Sequence, residues 1–302
     1  MLIVSGSNQH FLAFTVASIL AQGYIQASVD KFSDQELKIN LLGDYSHQDV
    51  FIFLSTCSPA NDHLMELFLI ANKIHLASPK SITAVIPYFG YSRQDRKFDD
   101  QPISKNTVFS LLASVGISSV VTLDLHSDTN INFPVKLHNI AFWQIFWQDL
   151  SSKLLDKDTL IVSPDSGSSQ RAKVLARKLG LEALSLGKTR MPDGSCVINC
   201  TNGEFLRQRL KNKHCILVDD IVDKANTLSA AADFLHKSQA KSIDAYVTHG
   251  IFSAAALELM ERSLIKNLYI TDSIPQPRAL PEKITVLPTG NIISAFIKTA
   301  FS

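Results

Sequence analysis

Short apolar runs and helical stripes alternate along this chain almost from its first residue. Leu2-Ile3-Val4, Asp49 to Leu54, Ser81 to Pro87, Val120 to Leu123, Thr159 to Val162, Cys215 to Val218, Ile243 to Val247, Leu268 to Thr271 and Ile284 to Leu287 have the length and β-branched content of strands buried on both faces. Between them, Phe11 to Leu20, the stretch opened by Asn61-Asp62, Lys105 to Ser114, Gln170 to Leu179 and the stretch carrying Leu228, Ala231, Ala232 and Leu235 place apolar residues at helical spacing. That alternation predicts an α/β fold in which mainly parallel sheets are flanked by helices. The pattern begins again near residue 150. It predicts two similar halves, residues 1–143 and 144–302, joined somewhere between about 135 and 150, with no short repeat.

Polar clusters fall where the strands end. The fullest example is His214 to Lys237, in which the apolar run stops at Asp219-Asp220 and Asn226 and Thr227 are candidate N-caps of the next helix. A helix N-terminus beside carboxylates suits a sugar phosphate: free N–H groups take the phosphate, and the acids take hydroxyls or the water shell of magnesium. Arg93, Gln94 and Arg96 follow another strand, Asp124 and His126 a third, and Asp165 a fourth. Parallel sheets bind ligands beyond those ends, so the pattern reads as a nucleotide on one side and an anionic sugar on the other. Lys188 and Arg190, between Gly187 and Gly194, read as a charged, flexible loop.

Composition narrows the field. The 302 residues are 46% hydrophobic and 19% charged, enough for two packed domains without a long disordered tail. A formal net charge of +1 gives no global case for nucleic acid or an anionic membrane. Cys57, Cys196, Cys200 and Cys215 form no CxxC pair, Cys215 falls in a strand expected to be buried, and Cys196 and Cys200 lack the accompanying histidines of a zinc site, so reduced thiols are expected. The N-terminus has no positive leader and no apolar run reaches membrane length, which places the protein, as an expectation, in the cytoplasm. His249 reads as structural, and Trp143 and Trp147 as packing or a subunit contact.

Phe32-Ser33-Asp34-Gln35-Glu36, Asn61-Asp62-His63-Leu64-Met65-Glu66-Leu67, the run from Ile86 to Lys97 containing Tyr88-Phe89-Gly90-Tyr91-Ser92-Arg93-Gln94-Asp95-Arg96, Asp124-Leu125-His126, Ser163-Pro164-Asp165 and Asp219-Asp220-Ile221-Val222-Asp223 resemble, in order, the motifs of the ribose-phosphate pyrophosphokinases. The resemblance spans essentially the whole chain. It implies two tandem type I phosphoribosyltransferase-like domains, an ATP side and a ribose-phosphate side. It also implies transfer of the diphosphoryl group of Mg-ATP to the 1-hydroxyl of ribose 5-phosphate, and a homo-oligomer built from dimers, often hexameric. By that resemblance Phe32, Asp34 and Glu36 contact ATP from a neighbouring subunit, and Arg93 and Gln94 hold the nucleotide. His126 and Asp165 match positions associated with Mg2+. Lys188 and Arg190 match the catalytic Lys-x-Arg segment, and Arg190, Asp219, Asp220, Asp223, Lys224, Ala225, Asn226 and Thr227 match the ribose 5-phosphate site.

The chain departs from the family pattern mainly on the sugar side. Lys224 replaces a hydroxyl residue, Asn226 and Ser168 replace glycines, the segment after His126 is altered and reads as shortened, and Gln101 replaces an arginine. These changes keep two other expectations open: a non-catalytic regulatory homologue, and a diphosphokinase or phosphoribosyltransferase acting on a different sugar phosphate.

Overall fold

The computed structural model describes residues 1–95, 100–127, 133–153, 155, 157–190, 196–198, 203–276 and 279–301, with 188–190, 196–198 and 203–205 described for their backbone only. The chain packs as two units. Residues 1–141 with 273–275 and 288–302 form one, and residues 142–272 with 276–287 form the other.

The first unit runs β1 (Leu2–Ser5), α1 (His10–Leu20), β2 (Gly23–Gln26), β3 (Ser28–Lys31), β4 (Leu37–Asn40), β5 (Asp49–Phe53), α2 (Ala60–His75), β6 (Ser81–Ile86), α3 (Ser104–Ser114), β7 (Ser119–Leu123) and β8 (Lys136–Ile140). Its main sheet has the order β2-β1-β5-β6-β7-β8, and every neighbouring pair is parallel. The central strands are apolar on both faces because helices cover both: β5 reads Asp-Val-Phe-Ile-Phe, and α2 lays Leu64, Leu67, Ile70, Ala71 and Ile74 on one side. Outside the sheet, β3 and β4 form a separate antiparallel hairpin.

The second unit repeats the plan. It runs α4 (Phe142–Ser152), β9 (Thr159–Ser163), α5 (Ser169–Leu179), β10 (Glu182–Ser185), β11 (Lys188–Arg190), β12 (Cys196–Ile198), α6 (Gly203–Leu210), β13 (His214–Val222), α7 (Asn226–Lys237), β14 (Ser242–Gly250), α8 (Ala256–Arg262), β15 (Asn267–Thr271) and β16 (Ile284–Leu287). The sheet order is β10-β9-β13-β14-β15-β16, again with every pair parallel. One face packs Leu217, Leu228, Ala231 and Leu235, and the other Phe146, Leu150, Leu175 and Ile216. A two-stranded antiparallel hairpin, β11 with β12, follows the second strand of this unit just as β3 with β4 follows the second strand of the first.

Three features differ from the sequence reading. The second half is not one contiguous block from 144 to 302, because helix α9 (Gly290–Ala300) packs with the first unit. Its Gly290 lies so near α1 that a Cβ there would stand 2.9 Å from the Thr15 side chain. Second, β13 does not stop at Val218; pairing with β14 continues to Val222 opposite Gly250, so Asp219 and Asp220 lie within the strand. Third, residues 188–190 are strand rather than loop, paired with 196–198, while 191–195 lie outside the described residues. No sequence pattern pointed to β2, β8 and β10, which are sheet edges of four or five residues with few apolar positions.

Ile293 on α9 is fully buried. Ile293→Ala is expected to cost about 2–5 kcal/mol, read from the midpoint of chemical unfolding followed by circular dichroism; an unchanged midpoint would show that α9 does not help to stabilise the fold.

Candidate active site

In the second unit the candidate residues gather where the strand order reverses. The chain enters at β9, steps to β10 on one side, then crosses to β13 on the other, so the gap between β9 and β13 is the switch point where such sheets open a ligand crevice. Asp165 follows β9. Its Oδ1 accepts the backbone N–H of Gly167 at 2.9 Å and of Ser168 at 3.3 Å, which fixes the turn into α5. Asp219 and Asp220 come from β13. The Ser168 hydroxyl donates to Asp219 at 2.8 Å, and the Arg171 guanidinium stands 3.6 Å from Asp220, which is 5% exposed.

This cluster concentrates negative charge. Loss of water, then the nearby Asp220 and Asp165 carboxylates, hold the Asp219 carboxyl well above the usual carboxylate range, and the Ser168 hydrogen bond offsets only part of that. One residue beyond the strand, Asp223 accepts the Ser253 hydroxyl at 2.5 Å, while its carbonyl accepts the Ser253 N–H at 3.1 Å. The chain then turns through Ala225, whose φ of 65° is left-handed, and α7 begins at Asn226 itself. The N-cap is therefore Ala225, not Asn226 or Thr227. A methyl group accepts nothing, so the N-cap residue itself makes no side-chain hydrogen bond to the first turn of α7. Lys224 is exposed at the outer edge of that loop.

The first unit arranges its candidates differently. Its switch point lies between β1 and β5, and hydrogen bonds fill it. The Asn8 side chain donates to the Ser55 carbonyl at 2.8 Å and accepts the Ser55 N–H at 3.1 Å. Buried Glu66 accepts the Ser7 N–H and hydroxyl, both at 2.6 Å. The Ser273 carbonyl accepts the Gln9 amide at 3.1 Å and the Ser55 hydroxyl. Candidate chemistry falls instead after the next two strands.

Following β6, Gly90 passes so close to Thr56 that a Cβ would stand 2.3 Å from the Thr56 carbonyl oxygen; Gly90 N–H donates to the Thr56 hydroxyl at 2.6 Å. The loop then turns at Tyr91, with φ of 62°, and exposes Arg93 and Gln94. Following β7, buried Asp124 turns the chain at φ of 38°, Leu125 packs inward with its N–H on Asn139, and His126 is exposed. Phe32, Asp34 and Glu36 sit at the tip of the β3–β4 hairpin, all exposed; Asp34 accepts the Glu36 N–H at 3.2 Å, and Gln35 takes the left-handed turn position. The hairpin and the Arg93 loop share an anchor on the first turn of α2: Lys31 pairs with Asp62 at 2.7 Å, and the Tyr91 hydroxyl donates to Asn61.

Among the described residues, no three His, Cys, Asp or Glu side chains form a ready-made metal cage. The Asp165–Asp219–Asp220 group still offers hard oxygen donors, and magnesium takes one or two carboxylates together with substrate phosphates and water. The donor chemistry fits magnesium held with a substrate.

Residues 1–116 match the family model described as the N-terminal domain of ribose phosphate pyrophosphokinase, and residues 144–277 match that of the phosphoribosyl transferase domain. A ribose-phosphate pyrophosphokinase of Rhizobium meliloti (strain 1021) is 36% identical over 301 residues, covering 98% of this chain and 96% of its own. The chain belongs to the ribose-phosphate pyrophosphokinase family. A second pyrophosphokinase, from Bradyrhizobium diazoefficiens, is 37% identical over 303 residues, covering 99% of this chain and 94% of its own. The crystal structure of phosphoribosylpyrophosphate synthetase from Mycobacterium smegmatis superposes with a TM-score of 0.88 at 27% identity, covering 99% of this chain and 98% of that one.

Seen beside the pyrophosphokinase motifs, the second unit brings together Asp165 and Asp219-Asp220 near the Asp223–Thr227 turn; the side chains of Lys188 and Arg190 lie outside the described set. Sequence reasoning missed Arg171 and Ser253. Arg171 was legible only as one polar position of the helical stretch Gln170 to Leu179, and Ser253 gave no signal at all, because its partner Asp223 is thirty residues away. Ser168, noted only as a departure from glycine, turns out to be buried and bonded to Asp219.

Because Asp219 holds its proton more tightly when folded, its contribution to stability is full below the unfolded value of about 3.9 and is lost as pH rises towards the folded value. An asparagine in its place would keep the acceptor oxygen without the charge. With magnesium chelated, Asp219→Asn is therefore expected to raise the thermal midpoint at about pH 8 and to lose that advantage below about pH 4; a lowered midpoint at both would contradict this.

Proposed function

We propose that this chain transfers the diphosphoryl group of ATP to the 1-hydroxyl of ribose 5-phosphate in the presence of magnesium, giving phosphoribosyl pyrophosphate and AMP. The observation that carries the reading is identity of 36–37% to ribose-phosphate pyrophosphokinases over at least 98% of the chain. The bond that forms joins the sugar's 1-oxygen to the β-phosphorus, and the one that breaks links that phosphorus to AMP. Such a transfer needs positioning and charge neutralisation more than a covalent partner.

The residues divide that work. Arg93 and Gln94 hold the nucleotide; the exposed hairpin tip of Phe32, Asp34 and Glu36 contacts adenine and its ribose on a neighbouring copy, in a homo-oligomer built from dimers and extending to hexamers. Asp219 and Asp220 take hydroxyls of the acceptor ribose. Its 5-phosphate lies on the turn from Asp223 through Lys224, Ala225, Asn226 and Thr227, where the positive end of α7 favours an anion. His126 and Asp165 are the positions toward magnesium, the latter by oxygen and the former through water or phosphate. Bound there, magnesium supplies charge neutralisation on the diphosphoryl oxygens. Lys188 and Arg190 bring further positive charge to the transferring group. The proposed setting is the cytoplasm; no helix among the described residues is long and apolar enough to cross a membrane.

One observation favours a second acceptor. Lys224 and Asn226 add a cation and a side chain to the sugar-phosphate turn, and Ala225 there sits in a left-handed conformation that suits glycine better. AMP release from ATP should therefore be measured with ribose 5-phosphate, ribose 1-phosphate, deoxyribose 5-phosphate and ribose 1,5-bisphosphate. Release with ribose 5-phosphate is expected. Release with another sugar alone would replace the acceptor, and tight ATP binding without release would make the chain a regulatory homologue. Lys188→Ala should lower kcat by about 10²–10³, and a rate left intact would remove Lys188 from the mechanism.

A further inference from the structure

Lys105 is the second residue of α3, and it is fully buried. An ammonium group is costly to bury unless it is well hydrogen-bonded. Its Nζ donates to the Ser127 carbonyl and lies 3.1 Å from the Ser127 hydroxyl as well. It also stands 5.9 Å from the centre of the Phe133 ring, the outermost member of a stack in which Phe133 lies 3.9 Å from Phe109 and Phe109 lies 4.7 Å from Phe89. The backbone end of the same residue reaches a different loop: Lys105 N–H donates to the Gln94 carbonyl at 3.3 Å, and the adjacent Ser104 hydroxyl donates to the Gln94 side-chain oxygen.

One helical turn thus grips two segments far apart in sequence. Gln94 follows Arg93, and Ser127 follows His126. The aromatic stack beneath keeps the turn from shifting, since close-packed rings leave little room for a small displacement.

We infer that Lys105 is a positioning residue, setting the spacing between the Arg93-Gln94 segment and His126 so that both meet the polyphosphate of one ATP. The inference rests on the proposed diphosphokinase reading and assigns Lys105 to the donor nucleotide, not to the acceptor sugar. A lysine that merely filled space would stabilise the fold and affect both substrates alike.

The test uses the full chain carrying Lys105→Met, which keeps most of the side-chain volume and removes the ammonium, and Ser127→Ala, which removes one acceptor and leaves the carbonyl. Magnesium-ATP affinity is measured by titration without sugar, alongside the KM of each substrate and the thermal midpoint. Loss of a charged hydrogen-bonded contact should weaken ATP binding about tenfold in Lys105→Met and about threefold in Ser127→Ala, with the ribose 5-phosphate KM within about twofold of wild type. Equal rises in both KM values, or a lower midpoint with unchanged ATP affinity, would overturn the assignment. Should Lys105→Met fail to fold, unchanged ATP affinity in Ser127→Ala would overturn it alone. Since the titration contains no sugar, wild-type protein that binds ATP but releases no AMP would defeat the proposed reaction and still leave the Lys105 comparison readable.

Discussion

Parallel pairing governs this molecule. Among the described residues each main sheet contains six strands, and every neighbour runs the same way. A parallel strand needs a crossover to reach its neighbour, crossovers place helices on both faces, and both faces of each central strand must then be apolar. Val50 to Phe53 and Cys215 to Val218 are buried throughout for that reason. Polar chemistry is driven to the strand ends, where backbone groups leave the ladder and side chains can face water or a ligand.

The same topology occurs twice and is used in two ways. In the second unit the gap between β9 and β13 collects Asp165, Asp219 and Asp220. In the first, the corresponding gap is occupied by the protein's own Asn8, Gln9, Glu66 and Ser273 hydrogen bonds, and the exposed Arg93, Gln94 and His126 lie after the following strands. The hairpins keep the parallel going. Phe32, Asp34 and Glu36 sit on the hairpin after the second strand of one unit, and Lys188 and Arg190 on the hairpin after the second strand of the other. Two sets of residues that look unrelated in sequence thus occupy one position of a duplicated plan.

Much of this was legible because burial on both faces writes long apolar runs. The central strands β5, β6, β7, β9 and β13 and the stripe of α2 could be read directly, as could Asp124 after β7, Asp165 after β9 and the Asp219-Asp220 pair of β13. Edge strands such as Gly23–Gln26 and Glu182–Ser185 could not, since they are half exposed and carry no apolar run. The reach of β13 through Asp219-Asp220 was hidden for the opposite reason: a nine-residue partner strand carries the ladder past the point where side-chain character changes. Contacts such as Ser253 on Asp223 and Ser104 on Gln94 depend on tertiary placement, which no local pattern encodes.

The return of α9 to the first unit has a consequence for biosynthesis. Synthesis proceeds from the N-terminus, so residues 1–141 leave the ribosome long before 288–302 do. During that interval the side of α1 that later receives Gly290 and its neighbours has no partner from this chain. The unit that begins first is the last to be completed, and its apolar helix face must wait, open to water or to a chaperone, while the whole second sheet is made.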